Sequence, residues 1–155
     1  MEHKLVDTAL TVVFAVAMMT GLAGPAHAWD QPCSLAGVAG NWGFTDSGTV
    51  IGVGPRTAVG VFTLDGNGHL LNGIATSSLN GTIYDETFSG TYTVSSNCTG
   101  TLAVNIYISG ALAYTVTLNL AFDQNAEHMR GLFTSAVEPD GTSLQTVIGL
   151  DGHRQ

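Results

Sequence analysis

From Thr82 to Val94 the chain alternates between two kinds of side chain. Tyr84, Glu86, Phe88, Gly90, Tyr92 and Val94 fall on one face, and Ile83, Asp85, Thr87, Ser89, Thr91 and Thr93 on the other. Period two is the signature of an extended strand with one face in a core and the other in water. The pattern resumes after a tight turn carrying Cys98, with Leu102, Val104, Ile106 and Ile108. It is clearest in Leu112, Tyr114, Val116, Leu118, Leu120 and Phe122. No segment after residue 28 has a helical period, so these apolar faces must cover one another.

Turn chemistry divides the chain. Asp65-Gly66-Asn67-Gly68, Asn80-Gly81, Ser109-Gly110 and Glu138-Pro139-Asp140-Gly141 are all hairpin or turn signals. They leave eight strands: Asn41 to Thr45, Thr57 to Leu64, His69 to Leu79, Thr82 to Val94, Thr99 to Ile108, Ala111 to Phe122, His128 to Val137 and Thr142 to Leu150. Trp29 to Gly40 reads as a lead-in, the glycine-rich Asp46 to Pro55 as a flap or irregular edge, and Asp151 to Gln155 as a polar tail. Eight strands joined by short turns form a meander, and a meander of eight removes its exposed edges by closing. The expected fold is therefore all-β, an eight-stranded antiparallel up-and-down β-barrel; a two-sheet β-sandwich is the alternative, disfavoured because its crossings need longer connections. A barrel of eight either fills its interior or holds one small ligand. Trp42, Tyr84, Phe88, Tyr92, Leu102, Val104, Leu118 and Leu120 are the expected core.

The first 28 residues read as a signal peptide. Thr8 to Gly24 is an almost unbroken apolar run, and Ala26-His27-Ala28 supplies the small residues of a cleavage site before Trp29. A membrane anchor is the competing reading, for which the run is short. Residues 29–155 then form one domain, with ten acids against Arg56, Arg130 and Arg154 and no lysine. That balance argues against nucleic acid and anionic membrane surfaces, which reward cationic patches. Cys33 and Cys98, the two cysteines, read as one disulfide in an exported chain. The expected location is secreted or periplasmic, with no membrane association after cleavage.

Cys33-x-Leu35 with Trp42-Gly43-Phe44, the run Phe62 to Gly68, Ser89-Gly90-Thr91-Tyr92-Thr93-Val94, and Cys98-Thr99-Gly100-Thr101 together resemble a family of small secreted bacterial all-β proteins. The resemblance covers most of residues 29–155 and implies export and fold, not an activity. In barrel shape alone the chain is similar to allene oxide cyclase-like and lipocalin-like barrels. None of their catalytic motifs can be placed here residue by residue, and fold alone licenses no function.

Glu86 is the most informative ionisable residue, a carboxylate on an aromatic face. If that face is inward, burial raises its pKa and acid–base use becomes available. Arg56 or Arg130 could neutralise it or bind a ligand carboxylate. The expected ligand site is Tyr84, Glu86, Phe88, Tyr92 and Arg130, with Glu86 the candidate catalytic group. His69, His128 and His153 have no metal-ligand spacing, Asp65-x-Asn67-x-His69 lacks the later acid of a calcium loop, and no metal or cofactor is expected. Asn80-Gly81-Thr82 and Asn97-Cys98-Thr99 match a glycosylation sequon but read as turns. Two functions follow. One is a secreted non-catalytic β-barrel module holding a small apolar molecule. The other is a cofactor-free isomerase or cyclase working through Glu86 with Tyr84 or Tyr92. An enzyme site needs convergent polar groups, and only one candidate acid is visible, which favours the first.

Overall fold

The computed structural model describes residues 33–155. The expected signal peptide and its cleavage site before Trp29 lie outside the described residues. A one-turn helix α1 (Leu35–Val38) precedes eight strands: β1 (Gly40–Val50), β2 (Gly54–Leu64), β3 (His69–Leu79), β4 (Thr82–Val94), β5 (Thr99–Ile108), β6 (Ala111–Phe122), β7 (His128–Val137) and β8 (Thr146–Arg154). Each pairs antiparallel with its neighbour, and β1 pairs with β8 from Trp42↔Arg154 to Val50↔Thr146, so the sheet is a closed barrel.

The middle strands lie where period two puts them. So does β7, whereas β1, β2 and β8 have other bounds. The glycine-rich segment is no flap: β1 runs on to Val50, turns through Ile51 to Val53, and returns as β2 from Gly54. It is strand because Asp46 to Val50 is laddered on both sides, to β2 and to β8. Nor is Asp151 to Arg154 a tail, since it pairs with Trp42 to Thr45 and completes the closure. The helical turn is likewise a correction. Ser34 caps it by accepting from the Gly37 N–H at 3.0 Å, a local device too short to leave a period.

The interior is apolar along most of its length. Trp42, Phe62, Leu64, Leu70, Leu102, Leu118, Leu120, Met129 and Ile148 are buried, and Phe44, Phe62 and Phe88 form an aromatic cluster with ring centroids 5.6 to 6.1 Å apart. Of the expected core, only Tyr84 is half-buried rather than buried. Phe88 fits because Gly73 faces it: a Cβ there would stand 2.3 Å from the ring. A β-bulge next to Gly73 shifts the β3–β4 register, with Asn72 at φ 53°.

The two ends differ. At one, α1 caps the barrel. Val38 is fully buried, the Trp42 indole N–H donates to its carbonyl at 3.0 Å, and Arg154 donates to the Gly37 and Ala39 carbonyls. The Tyr92 hydroxyl reaches the Leu35 and Asp65 carbonyls. A Cys33–Cys98 disulfide, with Cα atoms 4.8 Å apart, staples the cap to the β4–β5 turn. Closing a loop of that length stabilises by about 4 kcal/mol at most in the chain-entropy account. At the other end the ladder opens. β8 meets β7 only from Gly149 to His153, while Thr146 to Ile148 pairs with β1 alone.

Candidate functional site

The open end holds a cavity of about 150 Å3. Its walls are Val50, Ile106, Val116, Phe133, Ala136 and Ile148, with Leu144 from the β7–β8 connection over it. That connection is held by Leu144 N–H donating to the Ala136 carbonyl at 2.8 Å and Ile51 N–H donating to the Gln145 carbonyl at 2.8 Å. Polar groups enter from few places: Tyr114, Glu138 and Thr146, and Arg56. Burial, then the Glu138 carboxylate, raises the Tyr114 phenol above its ordinary pKa, so it stays a neutral donor.

Arg56 belongs to a buried polar cluster built from four strands' inner faces and strand rungs. Its Nη1 donates to Glu86 Oε1 at 2.9 Å and its Nη2 to Glu86 Oε2 at 3.0 Å, a bidentate pair. Nη2 also donates to Asp46 Oδ2 at 3.3 Å. Ser77 Oγ donates to Glu86 Oε1 at 2.6 Å. Asp46, Ser77 and Glu86 are nearly inaccessible and Arg56 is buried. Asp46 Oδ1 is buried with no hydrogen-bond partner among the described residues. Burial pushes the Asp46 carboxyl above its ordinary pKa, and the Arg56 charge and hydrogen bond offset this only in part. Burial opposes the Arg56 charge too, but the Glu86 hydrogen bond and the two carboxylates outweigh it, so the guanidinium is held more firmly protonated than usual.

A second, inner space of about 40 Å3 is lined by Asp46, Arg56 and Glu86 together with Phe44, Phe62 and Phe88. Arg56, Ile106, Val116 and Phe133 line both spaces, so the two abut.

The expected site residues separate. Glu86 and Phe88 are inside, at the inner space. Tyr84 is half-buried on the same face. Tyr92 is at the capped end, bonded to the backbone, with its phenol raised to about 12 by burial and then by the Asp65 charge. Arg130 points outward from β7, its side chain 84 % exposed and 3.8 Å from Asp151. It is Arg56 that meets Glu86. Asp46 and Ser77 are new to the site. Continuing the Trp42, Phe44 alternation by one step would have found Asp46; no local signal points to Ser77, because the bulge in β3 reverses the faces.

No family model matches the chain, and no curated protein matches it. Among solved structures the chain is similar to the structure of EF1p2_mFAP2b bound to DFHBI, with a TM-score of 0.50 and 15 % identity over 76 % of this chain and 94 % of that one. The crystal structure of Rv2717c from M. tuberculosis is matched at a TM-score of 0.33 and 13 % identity, over 76 % of this chain and 92 % of that one. The first likeness is one of fold: a closed antiparallel barrel.

Proposed function

We propose that this chain is an exported, non-catalytic binding module that takes a small, largely apolar molecule into the open end of its barrel. The observation that carries the reading is the cavity of about 150 Å3, apolar-walled and floored by Arg56, at the one stretch where β7 and β8 part. A cavity of that order accepts a single aromatic ring. Pre-formed apolar space with few polar groups is the usual character of a small-molecule site. EF1p2_mFAP2b, a barrel of this fold, is bound to DFHBI, which supports reading the interior as ligand space. The disulfide suits an oxidising compartment, in line with the resemblance to small secreted bacterial proteins.

The cyclase reading is the weaker. A general base needs a free lone pair within reach of substrate. Glu86 accepts from both Arg56 nitrogens and from Ser77, and its carboxylate is committed to holding the cluster.

Titration with toluene, followed by amide and methyl chemical shifts, tests the reading. Shifts concentrated on Val116, Phe133, Leu144 and Ile148, with a rise in Tm as ligand is added, are expected. Ala136→Leu, which fills the cavity, should abolish them and keep the fold. Shifts confined to the barrel exterior, or none, would overturn the proposal.

A further inference from the structure

The buried cluster holds more negative charge than positive. Among the described residues Arg56 is the cation that Asp46 and Glu86 face, from β2, while Ser77 on β3 is neutral. Opposite Asp46, β2 offers Ala58 and β8 offers Leu150, neither of which carries charge. Two ionised carboxylates on one guanidinium leave one negative charge uncompensated in the barrel, and an uncompensated buried charge is strongly unfavourable. The structure shows where the deficit falls. Glu86 has both oxygens occupied. Asp46 has Oδ2 on Arg56 at a long 3.3 Å, and Oδ1, inaccessible to solvent, has no hydrogen-bond partner among the described residues.

The surroundings of that carboxylate suit a cation. Phe44, Phe62 and Phe88 line the same inner space as Asp46 and Glu86. Aromatic rings attract positive charge through their electron-rich faces, more strongly where water is excluded. At about 40 Å3 the space exceeds the roughly 10–15 Å3 that one water needs in a cavity, room for a small polar head group. A primary ammonium fits such a space and has N–H groups to donate. A carboxylate is the wrong charge, because Arg56 already serves two carboxylates.

Building on the cavity reading above, we propose that the inner chamber is a head-group subsite for a primary ammonium. The apolar body of the ligand fills the outer cavity, against Val116 and Phe133. Its ammonium enters the inner chamber and donates to Asp46 Oδ1 beside the phenylalanine cluster. Ligand and protein then hold two carboxylates against two cations, and the buried charge balances. The ligand class is a small hydrophobic amine, and the floor arginine excludes nothing by itself: its role is to hold Glu86 and one oxygen of Asp46 so that the other oxygen stays free.

Four probes of one shape test this by calorimetry at pH 7.5: toluene, benzyl alcohol, benzylamine and benzoate. Benzylamine should bind about ten- to a hundredfold more tightly than toluene, the worth of one charge-assisted hydrogen bond. Benzyl alcohol should fall between them, and benzoate should bind more weakly than toluene. Asp46→Asn should bring benzylamine down to the level of benzyl alcohol. Should that variant not fold, the wild-type ranking decides alone, together with proton contacts between the benzylamine methylene and the Phe44 and Phe88 rings. Toluene binding with no preference for benzylamine, or tightest binding by benzoate, would overturn the subsite and leave the cavity reading standing. No binding by any of the four would remove both.

Discussion

Arg56 and Glu86 meet inside the barrel through two parallel hydrogen bonds of 2.9 and 3.0 Å, although β3 separates their strands in the sheet. The pair is possible because both side chains lie on inner faces and Ser77, on the strand between, donates to the same carboxylate. It ties β2 to β4 through the interior, and through Asp46 it reaches β1 as well.

Removing the cation alone should therefore be costly. Arg56→Met leaves Asp46 and Glu86 buried without a counter-charge, and breaking a buried pair from one side typically costs about 3–5 kcal/mol. Denaturant melts at pH 7.5 should show a loss of that order. Without Arg56 the burial that already raises the Asp46 pKa is no longer offset, so Asp46 binds its proton more tightly folded than unfolded and the variant should regain stability as the pH falls. A variant equally destabilised at pH 5 and pH 7.5 would mean that packing, not charge, is what Arg56 supplies.

Asp46 should behave differently from its neighbours. Its folded-state pKa is raised, by burial above all. Between its ordinary value and the raised one, the folded state holds a proton that the unfolded state has released, so its contribution to stability falls as pH rises through that window. Asp46→Asn keeps an oxygen for Arg56 and has no charge to bury. It should be as stable as wild type at pH 7 or more so, and its stability should lack the wild type's decline above about pH 4. An unaltered pH profile in the variant would contradict the assignment.

The contrast between these residues also shows what was readable from the sequence. The faces of β4 follow from alternation alone, and they place Glu86, Phe88 and Tyr92 inside correctly. Asp46 sits on the same inward series as Trp42 and Phe44, but glycine-rich composition disguises a strand whose hydrogen bonds come from two neighbours remote in sequence. Ser77 could not be found that way. Counting in twos from Leu70 puts it outside, and the extra residue at the bulge near Asn72 puts it inside. Arg130 shows the limit of choosing partners by charge. It alternates with buried Met129 and so faces water. Which cation reaches Glu86 depends on register across three strands.

Tyr92 offers a test that separates the capped end from the open one. Its hydroxyl reaches the Leu35 and Asp65 carbonyls and so holds α1 to the β2–β3 turn. Tyr92→Phe removes that donor from half-buried acceptors, which typically costs about 1–3 kcal/mol. Binding of toluene should be unchanged once the variant is folded, because the cavity lies at the opposite end. A loss of binding without a loss of stability would place Tyr92 in the ligand site after all.

Asp65 provides the opposite pH sign to Asp46. Its carboxylate accepts the backbone N–H groups of His69 at 2.8 Å and Asn67 at 2.9 Å, and its Oδ2 lies 3.0 Å from the His69 ring. The His69 backbone bond first, then the other hydrogen bonds and the His69 charge, lower its pKa to about 2 against the opposing effect of burial. For a carboxylate lowered in the folded state the stabilisation is present above the ordinary value, near 4, and is lost as pH falls toward 2. Asp65→Asn keeps an oxygen for the turn but not the charge. It should be less stable than wild type at pH 6, and the gap should close between pH 4 and pH 2, where wild type has lost the same charge. Thermal melts across that range measure the gap directly. A gap that persists at pH 2 would show that the turn needs the shape of aspartate rather than its ionisation.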